Sequence, residues 1–205
     1  MNVADEILTL KDDFDAVYEA GKKAGGGAEI TEPYAIYRGL SGANYEECET
    51  FNMTSIPVNF IRQNTGVKRV IINEGVTILQ NAAIFSCTNL TSVTLPSTLK
   101  TINANALGGN SKLNNVLIPK NVISIQATSF LNCSGLINID VESEFAGDLY
   151  LNTCANVSQE SVSNIITHYD NGSGKKLVLH ADVFANVPAS EITRANEKGL
   201  TIAQA

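Results

Sequence analysis

Along the middle of the chain, apolar and polar positions recur with a fixed spacing. Residues 67–89 read VKRVIINEGVTILQNAAIFSCTN, residues 90–112 read LTSVTLPSTLKTINANALGGNSK, and residues 113–135 read LNNVLIPKNVISIQATSFLNCSG. A fourth start follows as Leu136-Ile137-Asn138-Ile139-Asp140-Val141. Aligned at 23 residues, the apolar columns stay in register without a gap. Val67, Leu90, Leu113 and Leu136 form one column, and Val70, Val93, Val116 and Ile139 the next. Ile72, Leu95, Ile118 and Val141 follow, then Val76, Leu99 and Val122, then Leu79, Ile102 and Ile125, then Ile84, Leu107 and Phe130. Small residues fill a further column at Ala83, Ala106 and Ser129. Each unit opens with an apolar–x–apolar run, which places two side chains on one face of a strand. Pro96 and Pro119 then stop the strand, because proline has no N–H to give a ladder. One such unit cannot bury its apolar side alone; stacked copies share a continuous core and a parallel sheet. The pattern predicts an α/β solenoid.

The period falls in the range of ~20–29 residues typical of leucine-rich repeats. The unit L-x-x-V-x-L-P-x-x-V-x-x-I-x-x-x-A-F-x-x-C-x resembles the BspA-like (Treponema-type) class of bacterial leucine-rich repeats. The closest copy runs from Leu113-Asn114-Asn115-Val116-Leu117-Ile118-Pro119 through Ser129-Phe130-Leu131-Asn132-Cys133-Ser134, and the match spans about residues 53–141. Asn73 stands where other copies have proline, and Gly108-Gly109-Asn110 replaces the x-x-Cys stretch. The resemblance implies leucine-rich repeats with a parallel sheet, capped at both ends. The C-terminal stretch looks, more loosely, like the tail of gut-bacterial, often prophage-encoded, repeat proteins.

Four regions are expected: residues 1–27, 28–66, 67–141 and 142–205. In the second, Met53, Ile56, Phe60, Ile61, Asn64 and Val67 form a degenerate copy whose strand positions hold Glu47 and Glu49. That strand is expected to be lost or altered, as in a polar terminal capping repeat. In the last region, Leu149-Tyr150-Leu151, Leu177-Val178-Leu179 and Leu200-Thr201-Ile202 read as strands. Between them, Ser158 caps a helix carrying Val162, Ile165, Ile166 and Tyr169, and a second helix starts near Pro188 and ends at Gly199. This order would extend the parallel sheet and form a C-terminal cap. Residues 2–24 read as a helix with a heptad seam of Val3, Ile7, Leu10, Phe14, Val17, Gly21 and Ala24, followed by the joint Gly25-Gly26-Gly27. The seam reads as a self-association stalk; the alternatives are docking on the chain's own solenoid or disorder, since an isolated helix of this length is marginal in water.

Charge changes the picture of possible partners. The net charge is −7, yet residues 1–66 carry −6, residues 67–135 carry +4 and residues 136–205 carry −5. The repeat block is solvated by Asn, Gln, Ser and Thr rather than by charge. Lys68, Arg69, Lys100, Lys112 and Lys120 do not share one column, and Phe85 and Phe130 are the only aromatics there. Nucleic acid is therefore not an expected partner. No run approaches the ~18–20 apolar residues of a membrane span, and the first residues lack the pattern of a secretory signal, so cytoplasmic synthesis is expected.

Chemistry adds little. Cys87 and Cys133 share a column two units apart, roughly 9–10 Å, beyond disulfide reach. They read as small buried turn residues, with Asn64 and Asn110 alternating in the same column. Cys48 and Cys154 fall in opposite caps. His180 with Asp182 could orient a base, but no nucleophile is recognisable beside it, and no His/Cys cluster has zinc spacing. Asp140, Glu142, Glu144 and Asp148 form an acidic run without the calcium-loop pattern. The expectation is a non-enzyme with no catalytic set, cofactor or metal.

The side chains alternating with the core columns define a candidate binding face: Arg69 and Ile71, Ser92 and Thr94, Asn115 and Leu117, Asn138 and Asp140. Mostly polar with isolated apolar residues, it suits a protein or surface-glycan partner, or is simply the solvated side of a sheet. The alternative function is a structural oligomeric subunit of a prophage or cell-envelope-associated assembly, joined through Val3, Ile7, Leu10, Phe14 and Val17.

Overall fold

The computed structural model describes residues 33–39, 45–142, 145, 147–169 and 174–204. The helix expected over residues 2–24 lies outside the described residues.

The strand runs of the repeat stack side by side in one six-stranded sheet. Its order is Tyr34–Arg38, Glu47–Phe51, Arg69–Ile72, Ser92–Thr94, Asn115–Ile118, Asn138–Val141. The first pair is antiparallel and the others are parallel. Register follows the columns: Arg69 faces Ser92, Ser92 faces Asn115 and Asn115 faces Asn138. Within each strand burial alternates, with Val70 and Ile72, Val116 and Ile118, and Ile139 and Val141 turned inward. A slip of one residue would turn every one of these side chains to solvent, so the core fixes the register.

After each strand the chain turns into a second file of short parallel strands, Ser55–Ile56, Ile78–Leu79, Thr101–Ile102 and Ser124–Ile125. A third file holds Ile61–Arg62 and Ile84–Phe85. The core lies between the files. Leu79, Ile84, Leu90, Leu99, Ile102, Leu107, Leu113 and Leu136 are all fully buried in it. Tight corners require left-handed backbone at recurring places. Asn59, Ala82 and Asn105 have φ of 55°, 52° and 55°, and Gln63, Ser86, Gly109 and Asn132 have φ of 54°, 55°, 73° and 60°. Glycine occupies only one of these seven, and a Cβ there would sit 2.6 Å from Ser86 Oγ.

Two features differ from the sequence-based expectation. Glu47–Phe51 is a full strand, with Cys48 and Thr50 buried and both glutamates turned outward. The glutamates are held there by cations rather than forced against the core. The C-terminal strands Leu149–Leu151, Lys175–Leu179 and Leu200–Gln204 are parallel, but they form a sheet of their own. The place beside Asn138–Val141 is taken instead by the helix Gln159–His168. Ser158 caps this helix by accepting the Ser161 N–H at 3.1 Å. Its side chains then stand in for a strand: Ser161 Oγ accepts the Ile139 N–H and Asn164 Oδ1 accepts the Val141 N–H, each at 3.0 Å. Lys198 Nζ donates to the Thr167 and Tyr169 carbonyls at the far end, at 2.6 and 3.1 Å. There the cation also complements the helix dipole.

Candidate binding face

The alternation that buries one set of side chains fixes the other set on the outside of the six-stranded sheet. Arg69, Ser92, Asn115 and Asn138 form one outward column, which begins at Glu47. Ile71 lies between Glu49 and Thr94, and Leu117 faces Asp140. The eight residues expected on this face are all there. Leu117 is 49% exposed, while Ile71 and Asp140 are partly covered.

The face has two chemically different parts. Toward the first strands, Arg38 bonds Glu47 at 2.8 Å and Glu49 at 3.0 Å, and Arg69 Nη1 lies 3.8 Å from Glu47. Asn73 donates to Glu49 at 3.2 Å, and Lys68 pairs with Glu46 at 2.6 Å. These charges neutralise one another at a cost in freedom for a ligand, since each is already engaged. Beyond them lies a strip of amides whose one neighbouring carboxylate is Asp140, opposite Leu117. Asn138 Nδ2 donates to Asn115 Oδ1 at 2.7 Å, and Asn115 Nδ2 donates to Asn114 Oδ1 at 2.9 Å. The amides are therefore held in orientation, each keeping a spare N–H, with Leu117 beside them. Glu47, Glu49 and Arg38 belong to this face, and the sequence reading missed them. The signal was the alternation of Cys48 and Thr50 with the two glutamates, which reads as one more strand.

The cysteines serve the stack. All four are free and buried. Cys133 Sγ donates to the Leu107 carbonyl at 3.0 Å, Cys154 Sγ to the Phe130 carbonyl at 3.5 Å and Cys87 Sγ to the Ile61 carbonyl at 3.7 Å. Asn110 makes the same cross-turn bond to the Ile84 carbonyl at 2.9 Å. Cys154 thus continues the column of Cys87, Asn110 and Cys133; Leu151-x-x-Cys154-x-x-Val157 repeats Phe130-x-x-Cys133-x-x-Leu136. Burial pushes the thiol of Cys133 up to about 11 and that of Cys154 up to about 12, away from nucleophilic thiolate.

His180 Nδ1 accepts the Asp182 N–H at 3.2 Å and caps the short helix Ala181–Phe184, with the Asp182 carboxylate 3.5 Å away. His168 Nδ1 lies 3.0 Å from the Asn164 carbonyl within its own helix. Both rings are engaged in local backbone contacts. Among the described residues, no three His, Cys, Asp or Glu side chains are grouped to hold a metal, and no helix is long and apolar enough to cross a membrane. The candidate oligomerisation residues Val3, Ile7, Leu10, Phe14 and Val17 lie outside the described residues.

Parallel strands stacked turn upon turn, with apolar columns inside and a broad open face, define a solenoid of the leucine-rich-repeat type. The model of the BspA type leucine rich repeat region matches residues 47–171 with six copies, and the chain belongs to that family. Two solved structures share the fold. One is a leucine-rich cell surface protein from Faecalibacterium prausnitzii, with TM-score 0.52 and 16% identity over 56% of this chain and 32% of that one. The other is the pneumococcal vaccine antigen PcpA, with TM-score 0.52 and 18% identity over 83% of this chain and 44% of that one. The chain thus matches less than half the length of either. No curated protein matches it.

Proposed function

We propose that the chain is a non-catalytic binding protein that docks a protein or a surface glycan on the outer face of its six-stranded sheet. The observation carrying this reading is the amide strip. Asn115 and Asn138 are orientationally fixed there, and Leu117 is left 49% exposed among them. A ligand meeting such a strip finds polar partners already held by hydrogen bonds, and an apolar anchor bordered by the carboxylate of Asp140. The ion pairs of Arg38 and Arg69 border the strip. The reading takes each turn as one 23-residue unit, a spacing supported by the file Arg69, Ser92, Asn115, Asn138. Its relatives' description as leucine-rich cell surface proteins or antigens fits display of such a surface.

The test uses the full chain against immobilised purified glycans and extracellular proteins. For any ligand bound, Leu117→Arg is expected to weaken affinity at least ~10-fold, in keeping with loss of a central anchor. Gln126→Ala, on another face, should leave affinity unchanged. If Leu117→Arg and Asn115→Ala both bind as the parent does, the ligand does not use this face.

A further inference from the structure

The two sheets end differently. The last strand of the long sheet, Asn138–Val141, is closed by the helix Gln159–His168. Among the described residues, the far side of Leu200–Gln204 pairs with no strand. The register shows which groups it leaves open. The Lys176 N–H bonds Asp148 Oδ1 at 2.9 Å, so it points toward the Leu149–Leu151 side. By alternation, Lys175, Leu177 and Leu179 point toward Leu200–Gln204. In a parallel ladder each bonds the residues flanking its register partner. Leu177 faces Ile202, so its bonds engage Thr201 and Ala203. The N–H and C=O groups of Leu200, Ile202 and Gln204 are turned outward.

Native proteins blunt such an edge with a lysine, a proline, a bulge or a covering element. Leu200–Gln204 has no charged residue and no proline, and it runs as five regular residues in unbroken register with its neighbour. Lys198, the nearest charge before it, is turned away to the Thr167 and Tyr169 carbonyls.

We propose that this edge pairs, antiparallel and across a two-fold axis, with the same edge of a second copy of this chain. Centred on Ile202, the pairing sets Ile202 against Ile202 of the partner subunit, Thr201 against the partner's Ala203 and Leu200 against the partner's Gln204. On the exposed side the facing residues are small. On the packed side two partly buried isoleucines meet. No like charges oppose each other along the strand, and the two three-stranded sheets become one of six. An isologous edge contact of this kind closes on itself, so it stops at the dimer.

Two experiments on the full chain test it. Ile202→Cys places its two sulfurs in a hydrogen-bonded antiparallel pair, with Cα atoms about 5.5 Å apart and within disulfide range. Exchange with oxidised glutathione joins those sulfurs and releases two reduced glutathione molecules. The native thiols are buried and contribute no background. A covalent dimer is expected at least ~10-fold faster than for Ser190→Cys, an exposed control on the neighbouring helix. Adding Thr201→Lys with Ala203→Lys opposes like charges at both flanking pairs and should abolish the dimer. Adding Thr201→Lys with Ala203→Glu opposes unlike charges and should restore it. Equal cross-linking at residues 202 and 190 overturns the proposal, as does indifference to the charge pattern. Association through residues 2–24 alone would give that second result. Where Ile202→Cys fails to fold, light scattering of the two charge variants distinguishes the same alternatives: the Lys–Glu chain is dimeric and the Lys–Lys chain is not, or the edge is not the interface.

Discussion

Asn110 shows how much one side chain does in this stack. It is fully buried, accepts the Cys87 N–H at 2.9 Å and donates to the carbonyls of Ile84 at 2.9 Å and Leu107 at 2.7 Å. Three backbone groups of two successive turns therefore meet at one amide, which shares the Leu107 carbonyl with the Cys133 thiol. Asn110→Ala strands the Cys87 N–H and the Ile84 carbonyl in the core, while the Leu107 carbonyl keeps the Cys133 thiol, and we expect a loss of about 2–4 kcal/mol in urea unfolding. Asn110→Cys installs the residue that other turns use. Its thiol still reaches the Ile84 carbonyl but leaves the Cys87 N–H unmet, so the loss is expected to be about 1–2 kcal/mol. If the two variants unfold at the same urea concentration, the cross-turn bond is not what Asn110 provides. The role of the column as buried turn residues was legible in the sequence, because Asn and Cys alternate there. The sharing of one carbonyl-directed bond by both was not, because it depends on which way a side chain turns inside the corner.

At the level of elements, the repeat was readable because its apolar columns admit no gap: a strand out of register would expose its whole inner set. The strand Glu47–Phe51 was hidden by two glutamates that Arg38 and Arg69 hold on the outer face. The helix Gln159–His168 was foreseen from Ser158 and its apolar spacing. Its position as the closing piece of the long sheet was not, since Ser161 and Asn164 look like ordinary polar residues of a helix. That position carries a prediction. Ser161→Ala and Asn164→Ala each remove an acceptor from a buried ladder N–H and should cost about 1–2 kcal/mol. Hydrogen exchange should speed up at Ile139 for the first and at Val141 for the second, while the Asn115–Ile118 amides stay protected. Uniform exchange changes would show that the helix does not close this edge.

For the whole molecule, burial couples stability to alkaline pH. The thiols of Cys48, Cys133 and Cys154 are pushed up from 9.0, chiefly by burial, to about 12, 11 and 12, and that of Cys87 is raised too. Burial likewise raises the Tyr169 and Tyr45 phenols. An unfolded chain releases these thiol protons from about pH 9, whereas the folded chain still holds them. Their contribution is fully present below that pH and is lost as pH rises. The urea midpoint should hold steady up to about pH 9 and then fall toward about pH 11. A Cys133→Ala, Cys154→Ala chain should show a shallower fall, and an unchanged slope would remove the thiols as its cause. The outer face, too, was legible as a list of alternating residues. Its division into an ion-paired end and a fixed amide strip was not, because both depend on neighbours a turn away.

The contact that closes the long sheet has an evolutionary consequence. Toward the sheet, Ser161 and Asn164 recognise backbone alone, chiefly the two N–H groups of Ile139 and Val141 and, through Ser161, the Ile137 carbonyl. Every parallel turn before them presents the same two groups at the same height. Nothing in that contact specifies which turn comes last. Turns before the last strand can therefore be copied or deleted by recombination within the repeat while the closing helix keeps its backbone contacts. The reach of the outer face then changes by duplication alone, and each new turn arrives free to vary its two outward side chains.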